Sequence, residues 1–154
     1  MQFIDALPIV AVLGTGVVYG VDVFFAVIGR QALAESSDAT IAEVMGHLHQ
    51  VADARMPIFG VIGLLATIAF AAVSPMGTLI SWLALIAIAG LLVQLSLYLV
   101  VAKPINTKMT EAAQRKEVLR DIRELQNRWD SVIVTRAMAM TLAVGCLVTA
   151  ASLR

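Results

Sequence analysis

Charge is scarce in this chain: 14% of its 154 residues are Asp, Glu, Lys or Arg, against about 25% in an average soluble domain. That shortage excludes a water-facing globular surface. Eleven basic and eleven acidic residues cancel, so no basic field exists to hold nucleic acid. The one cysteine, Cys146, has no partner in the chain, which excludes an internal disulfide and a cysteine-built zinc site. No GxGxxG, Walker loop, CxxC or HExxH run occurs, which removes nicotinamide, ATP and iron–sulfur chemistry from this chain alone. No cofactor is expected. A ten-residue alternating pattern is also missing, which argues against a membrane barrel.

What is present is hydrocarbon. A, V, I, L, M, F, W, Y and C make up 60% of the residues and mean hydropathy is +0.88. A bilayer core of about 30 Å is crossed by about 20 apolar residues in helix, because a helix satisfies its own backbone groups in lipid. Four runs meet that requirement, at about 6–28, 57–73, 78–102 and 132–153. They form a single four-span domain over 1–154.

Two polar connections separate the runs, and both read as helical. Ser37 and Asp38 suit the start of a helix through Ile41, Val44, Met45, Leu48 and Val51, with Pro57 tolerated where it meets the second run. In the second connection, Val118, Ile122, Leu125, Trp129, Val132 and Arg136 follow at steps of three and four, which is one helical stripe. The fourth span is therefore expected to extend into the cytosol as a long amphipathic helix. Ser74-Pro75-Met76-Gly77 is a turn signal between the second and third runs.

Basic residues set the orientation. Arg30 and Arg55 flank the first connection; Lys103, Lys108, Arg115, Lys116, Arg120, Arg123, Arg128 and Arg136 lie in or at the edge of the second; Arg154 alone lies on the other side. The positive-inside rule puts both connections in the cytoplasm and both termini outside. The start, Met1 to Asp5, lacks a positive n-region, so the first span is expected to stay attached rather than be cleaved as a signal peptide. The expected architecture is an all-α, antiparallel, integral membrane four-helix bundle, with cytoplasmic helical extensions of spans 2 and 4, in a bacterial inner membrane. Its surroundings are lipid, and a homo-oligomer or protein partner is compatible with it. Gly16 and Gly20, four apart on the first span, would let a neighbouring helix approach closely.

Polar residues inside the runs point to function, since Asp or Arg at a span centre costs about 2.5–3.5 kcal/mol on insertion scales. Asp22, Gln94 and Arg136 lie roughly 9, 12 and 6 Å below the cytoplasmic boundary at 1.5 Å per residue. They can share one layer. The plain reading is an Asp22–Arg136 ion pair that offsets two insertion costs. The sharper one is that Arg136, with Asp22, Gln94, Tyr98 and Tyr19, lines a cytoplasm-facing pocket for a flat ligand with phenolic, quinone or anionic oxygens. Gln94 and Tyr98 are one turn apart, and Trp129 and Arg136 two turns, so an aromatic plate can stand beside a guanidinium.

His47 and His49 are the only histidines, and two residues apart they point to different sides of a helix. That spacing is poor for one metal, although His49 shares a face with Asp53 and Glu43 with His47. No metal site is assigned. One histidine near the pocket mouth suits acid–base work, because an imidazole titrates near neutral pH.

Lys103-Pro104-Ile105-Asn106 after the third run, then a charged helix, then Trp129 with Arg136 seven residues later, resembles the anthrone oxygenase-like family of small four-span membrane proteins. Most bacterial members of that family have no assigned function. The resemblance implies cofactor-independent monooxygenation, in which dioxygen oxidises the activated methylene of a phenolic anthrone. It implies Asn106 and Arg136 on ring oxygens, Trp129 as a wall, and His49 or Asp22 as proton acceptor. The sequence departs from the pattern at Ile133, where Asn or His is expected. Asn106 also suits a turn or helix cap, and Trp129 an interfacial anchor.

The function expected is a membrane protein with a pocket for a flat oxygenated or quinone-like molecule, acting as an oxygenase of this kind. The alternative is a non-catalytic anchor or accessory subunit that docks a partner through a charged helix over 110–128. A transporter is disfavoured by the small size and by the lack of a pair of interrupted spans.

Overall fold

A computed structural model describes residues 3–153, with Arg154, the basic residue assigned to the outer side, outside the described residues. The described residues are helical, with no strand, and build a bundle of four long helices. Helix α1 spans 3–34: Phe3–Phe24 passes through a wider π turn, Phe25–Gly29, into Arg30–Ala34. Helix α2 is Asp38–Val73, α3 is Leu79–Gln114, and α4 is Ile122–Ser152. All four are long and apolar enough to cross a membrane.

Local chemistry sets the ends. Ser37 caps α2 by accepting from the Thr40 amide at 3.2 Å, and Thr78 caps α3 by accepting from the Ser81 amide at 3.3 Å. Gly77, at φ +78°, supplies the left-handed residue that the turn after Pro75 needs. Helix α2 runs unbroken through Pro57, so the first polar connection and the second apolar run are one element, as the sequence suggests.

The second connection departs from expectation. Helix α3 continues beyond the apolar run, through a π turn at Tyr98–Ala102 and on to Gln114. Residues 115–121 then break the chain before α4 starts at Ile122. The charged stretch 110–128 is therefore two helix ends joined by a turn, and Val118 lies exposed in that turn rather than on a helical stripe. The break is a Schellman stop: Lys116 takes φ 57°, its amide donates to Ala113 O at 3.0 Å, and the Glu117 amide donates to Ala112 O at 2.9 Å. The Lys108 ammonium bonds Asp121 across it and holds that exposed carboxyl below the ordinary carboxylate range.

Helix α1 packs on α2 and α4, α3 packs on α4, and the polar-end part of α3 packs on α2. Arg123 knits the polar end together. Its Nη2 donates to Asp38 Oδ1 at 2.6 Å and Ser36 O at 2.7 Å, and its Nη1 reaches the Leu33 and Ala34 carbonyls, each at 3.3 Å. Two apolar clusters form the core. One is built on Phe70, Ala84, Met140 and Leu147; the other, at the polar end, on Met45, Met109, Ile122 and Ile133.

Close helix approach uses a different glycine pair from the one read in the sequence. A Cβ on Gly63 would lie 2.7 Å from the Thr15 amide nitrogen, and one on Gly14 would lie 2.7 Å from that of Gly63, whereas Gly16 and Gly20 have open space at the Cβ position. The α1–α2 contact runs through Gly14 and Gly63. Gly63→Ala is expected to lower the melting temperature by the equivalent of about 1–3 kcal/mol of overpacking. Gly16→Ala is expected to raise it, by up to about 1 kcal/mol of helix propensity. Thermal unfolding of the two variants in one detergent checks the opposite signs.

Candidate functional site

The two apolar clusters leave a layer between them, and the polar residues of the apolar runs fill it. On α1, Asp22 lies one turn from Val18 of one cluster and one turn from Ala26 of the other; on α4, Arg136 lies between Ile133 and Met140. Periodicity thus brings both charges inward from helices whose outer faces are apolar. Arg136 Nη2 donates to Asp22 Oδ1 at 2.6 Å, with side-chain exposures of 8% and 1%. Gln94 Nε2 reaches Asp22 Oδ2 at 3.5 Å. The single layer read from depth is formed, and the ion pair is real.

The pair is also part of a cavity wall. A cavity of about 730 Å³ opens beside it, and its lining includes Asp22, Gln94, Tyr98, Asn106, Trp129 and Arg136, together with His49. That volume falls within the range of about 300–1,000 Å³ usual for small-molecule sites. The Arg136 guanidinium carbon sits 5.9 Å from the ring centroids of both Tyr98 and Trp129, at the distance of a cation–π contact. Trp129 is held edge-on by Phe25 at 5.3 Å, and the His49 ring lies tilted by 46° beside it at 5.6 Å. It is buried, so it is a wall of the site and not an interfacial anchor. Asn106 is buried inside the α3 extension, not at a turn or cap. Ile133 lies in the apolar cluster beneath the site.

Tyr19 does not join this group. It lines a separate space of about 260 Å³ with Arg30 and Thr141. Depth along the helix placed it near the layer, but its side chain lies with Val23, Ala26 and Val27 on the flank of α1 that borders this second space.

Asp53 is the residue the sequence reading left out of the site. Its Oδ1 accepts from Tyr98 Oη at 3.0 Å and from Asn106 Nδ2 at 2.9 Å, so one carboxylate oxygen aligns two lining residues on α3. The signal was there: Asp53 stands one turn after His49, and both line the cavity from α2. His47, by contrast, is exposed. Among the described residues no three His, Cys, Asp or Glu side chains gather in a way that could hold a metal ion.

Polar capacity is left over around the cavity. His49 Nε2, Asn106 Oδ1, Trp129 Nε1 and Arg136 Nε are buried atoms without a hydrogen-bond partner, and all four belong to lining residues. Buried polar groups of a native protein are normally paired. Four unmet ones, all on residues that line one space, make it the candidate site. No family model, curated protein or solved structure matches this chain, so the chemistry of the site rests on its own residues.

Proposed function

We propose that the chain is an integral membrane protein of the bacterial inner membrane. Its four spans run antiparallel, its termini lie outside, and its two polar connections are cytoplasmic, an orientation supported by the asymmetry of basic residues. Its cavity binds a flat phenolic or quinone-like molecule. The observation that carries this reading is the set of four unpartnered polar atoms on lining residues, next to a guanidinium framed by two aromatic rings. The Arg136 Nε–H and Trp129 Nε1–H are donors for a carbonyl or phenolate oxygen, and Asn106 Oδ1 is an acceptor for a ring hydroxyl. The Trp129 face suits a planar ring.

The chemistry of this proposal is anthrone oxygenation of the kind implied by the Pro104 to Asn106 and Trp129 to Arg136 signals. His49 takes a proton from the activated methylene, and the resulting carbanion, spread over the ring oxygens held by Arg136 and Asn106, adds to dioxygen. The hydroperoxide then loses water. One oxygen atom ends as the new carbonyl and the other as water. The four electrons leaving the methylene carbon reduce dioxygen completely, and no external reductant is needed. Asp22, with both oxygens engaged by Arg136 and Gln94, positions the guanidinium and leaves the proton-acceptor role to His49.

The test uses protein in lipid nanodiscs with 1,8-dihydroxyanthrone under oxygen. Quinone absorbance is expected to appear with one dioxygen consumed per product, above the rate with heat-denatured protein. The product quinone is expected to raise the melting temperature, and Arg136→Gln to abolish that protection. A wild-type protein that neither turns over the anthrone nor is protected by the quinone overturns the reading.

A further inference from the structure

Three features of the cavity concern its shape rather than its polar groups. The first is its length. The α2 residues that line it run from Leu48 to Leu64, about 24 Å at 1.5 Å per residue. The second is its division. Along α2 the polar lining residues, His49, Asp53 and Arg55, lie before Pro57, whereas Pro57, Gly60, Val61 and Leu64 offer no group that could bond a ring oxygen. A ring seated against Arg136 and Asn106 leaves the apolar stretch unfilled.

The third is where the space opens. Val21 and Phe24 of α1, Leu48, Val51 and Val61 of α2, and Leu95 of α3 line the cavity, yet they are 36–54% exposed. A residue that lines a cavity and also faces outward marks a mouth. These mouths break through the side of the bundle, where Val21, Phe24, Val61 and Leu95 belong to the apolar runs. Gly20, also a lining residue, has no atom within 4 Å of its Cβ position, which widens the gap beside Asp22. Among the exposed lining residues Arg55 alone is charged, and it stands two residues before Pro57, at the edge of the apolar run.

We infer that the ligand is dissolved in the bilayer: a phenol or quinone ring carrying a long hydrocarbon tail, which enters sideways between the helices and leaves its tail in the apolar stretch and its side opening. This rests on the ring-binding reading above and narrows it. The occupant follows from the walls. An apolar channel open to lipid is filled by acyl chains at no cost in water structure, and a ligand whose tail replaces them keeps its ring anchored at the polar end. A water-borne tricyclic compound would gain nothing from the upper stretch.

The experiment uses Trp82→Phe protein in nanodiscs, so that Trp129 alone reports binding by fluorescence quenching. The probes are 2,3-dimethoxy-5-methyl-1,4-benzoquinone without a side chain and its 6-decyl derivative, with concentrations expressed per lipid after correction for partitioning. The decyl compound is expected to bind at least about tenfold tighter. Gly20→Leu and Val61→Phe, which fill the opening from opposite sides, are expected to weaken it by about tenfold while changing the tailless compound by less than about twofold. Unchanged melting temperatures certify the variants as folded, and either one suffices. Equal affinity for the two probes, or equal loss of both in the rim variants, overturns the inference and leaves the ring site standing. Quenching by neither probe overturns both.

Discussion

Asp22→Asn is expected to lower stability by about 3–5 kcal/mol, the cost of leaving one member of a buried ion pair without its partner. For a chain of this length that corresponds to a fall in melting temperature of roughly 6–20 °C, at about 2–4 °C per kcal/mol. The effect is large because the replacement removes charge and leaves shape alone: the Arg136 guanidinium stays 8% exposed between Tyr98 and Trp129, and it cannot be deprotonated. Gln94 carries no charge to stand in for the lost one. Arg136→Gln is expected to cost less, because a stranded carboxyl group can neutralise itself by binding a proton and a stranded guanidinium cannot. The pair Asp22→Leu with Arg136→Met is expected to recover most of the loss, since apolar residues of similar volume often replace buried ion pairs without penalty. Thermal unfolding of the four proteins in one lipid system checks the order. If Asp22→Asn melts with the wild type, the pair contributes no stability, and Asp22 must hold its position through Gln94 and packing alone.

Much of this layer was legible in the sequence because intramembrane charge is costly and therefore informative. Asp22, Gln94 and Arg136 stood out against their apolar runs, and the structure brings them within bonding reach. Residues outside the apolar runs were harder to place. Asp53 sits in a polar helix where a carboxylate attracts no notice, and its role depends on α3 continuing past the apolar run to bring Asn106 beside it. That continuation was not visible, because Pro104 reads as a stop, yet the helix passes through the π turn at Tyr98–Ala102 and runs on past it. The break at 115–121 was hidden for the reverse reason. A helix stop of this kind is usually marked by glycine, and here Lys116 takes the left-handed position, so a run of charges at helical spacing looked continuous. Tyr19 failed on angle. Depth along a span can be counted from sequence, but the direction a side chain takes around the helix depends on which neighbours the fold selects.

On the proposed oxygenase chemistry, His49→Ala is expected to slow quinone formation by about 10²–10⁴-fold, the usual contribution of a positioned acid–base group. Three observations single out this imidazole. It is the one buried histidine, at 4% exposure; its Nε2 has no partner; and its ring lies 5.6 Å from that of Trp129, beside the place a planar substrate would stack. The carboxylates of the site are already committed, Asp22 to Arg136 and Asp53 to Tyr98 and Asn106, which leaves them poorly placed to accept a proton from carbon. The separation of rate from binding is what identifies the role. Affinity of His49→Ala for the product quinone is expected to stay within about threefold of wild type, a change under 1 kcal/mol, because Arg136, Asn106 and Trp129 remain. Asp53→Leu is expected to do the opposite: it releases Tyr98 and Asn106, so binding weakens before the chemical step is touched. Initial rates of quinone absorbance, measured beside thermal protection by the product, distinguish the two variants. If His49→Ala retains the wild-type rate, proton removal does not pass through the imidazole, and the catalytic assignment falls while the ligand site, held by the unpaired donors of Arg136 and Trp129, remains.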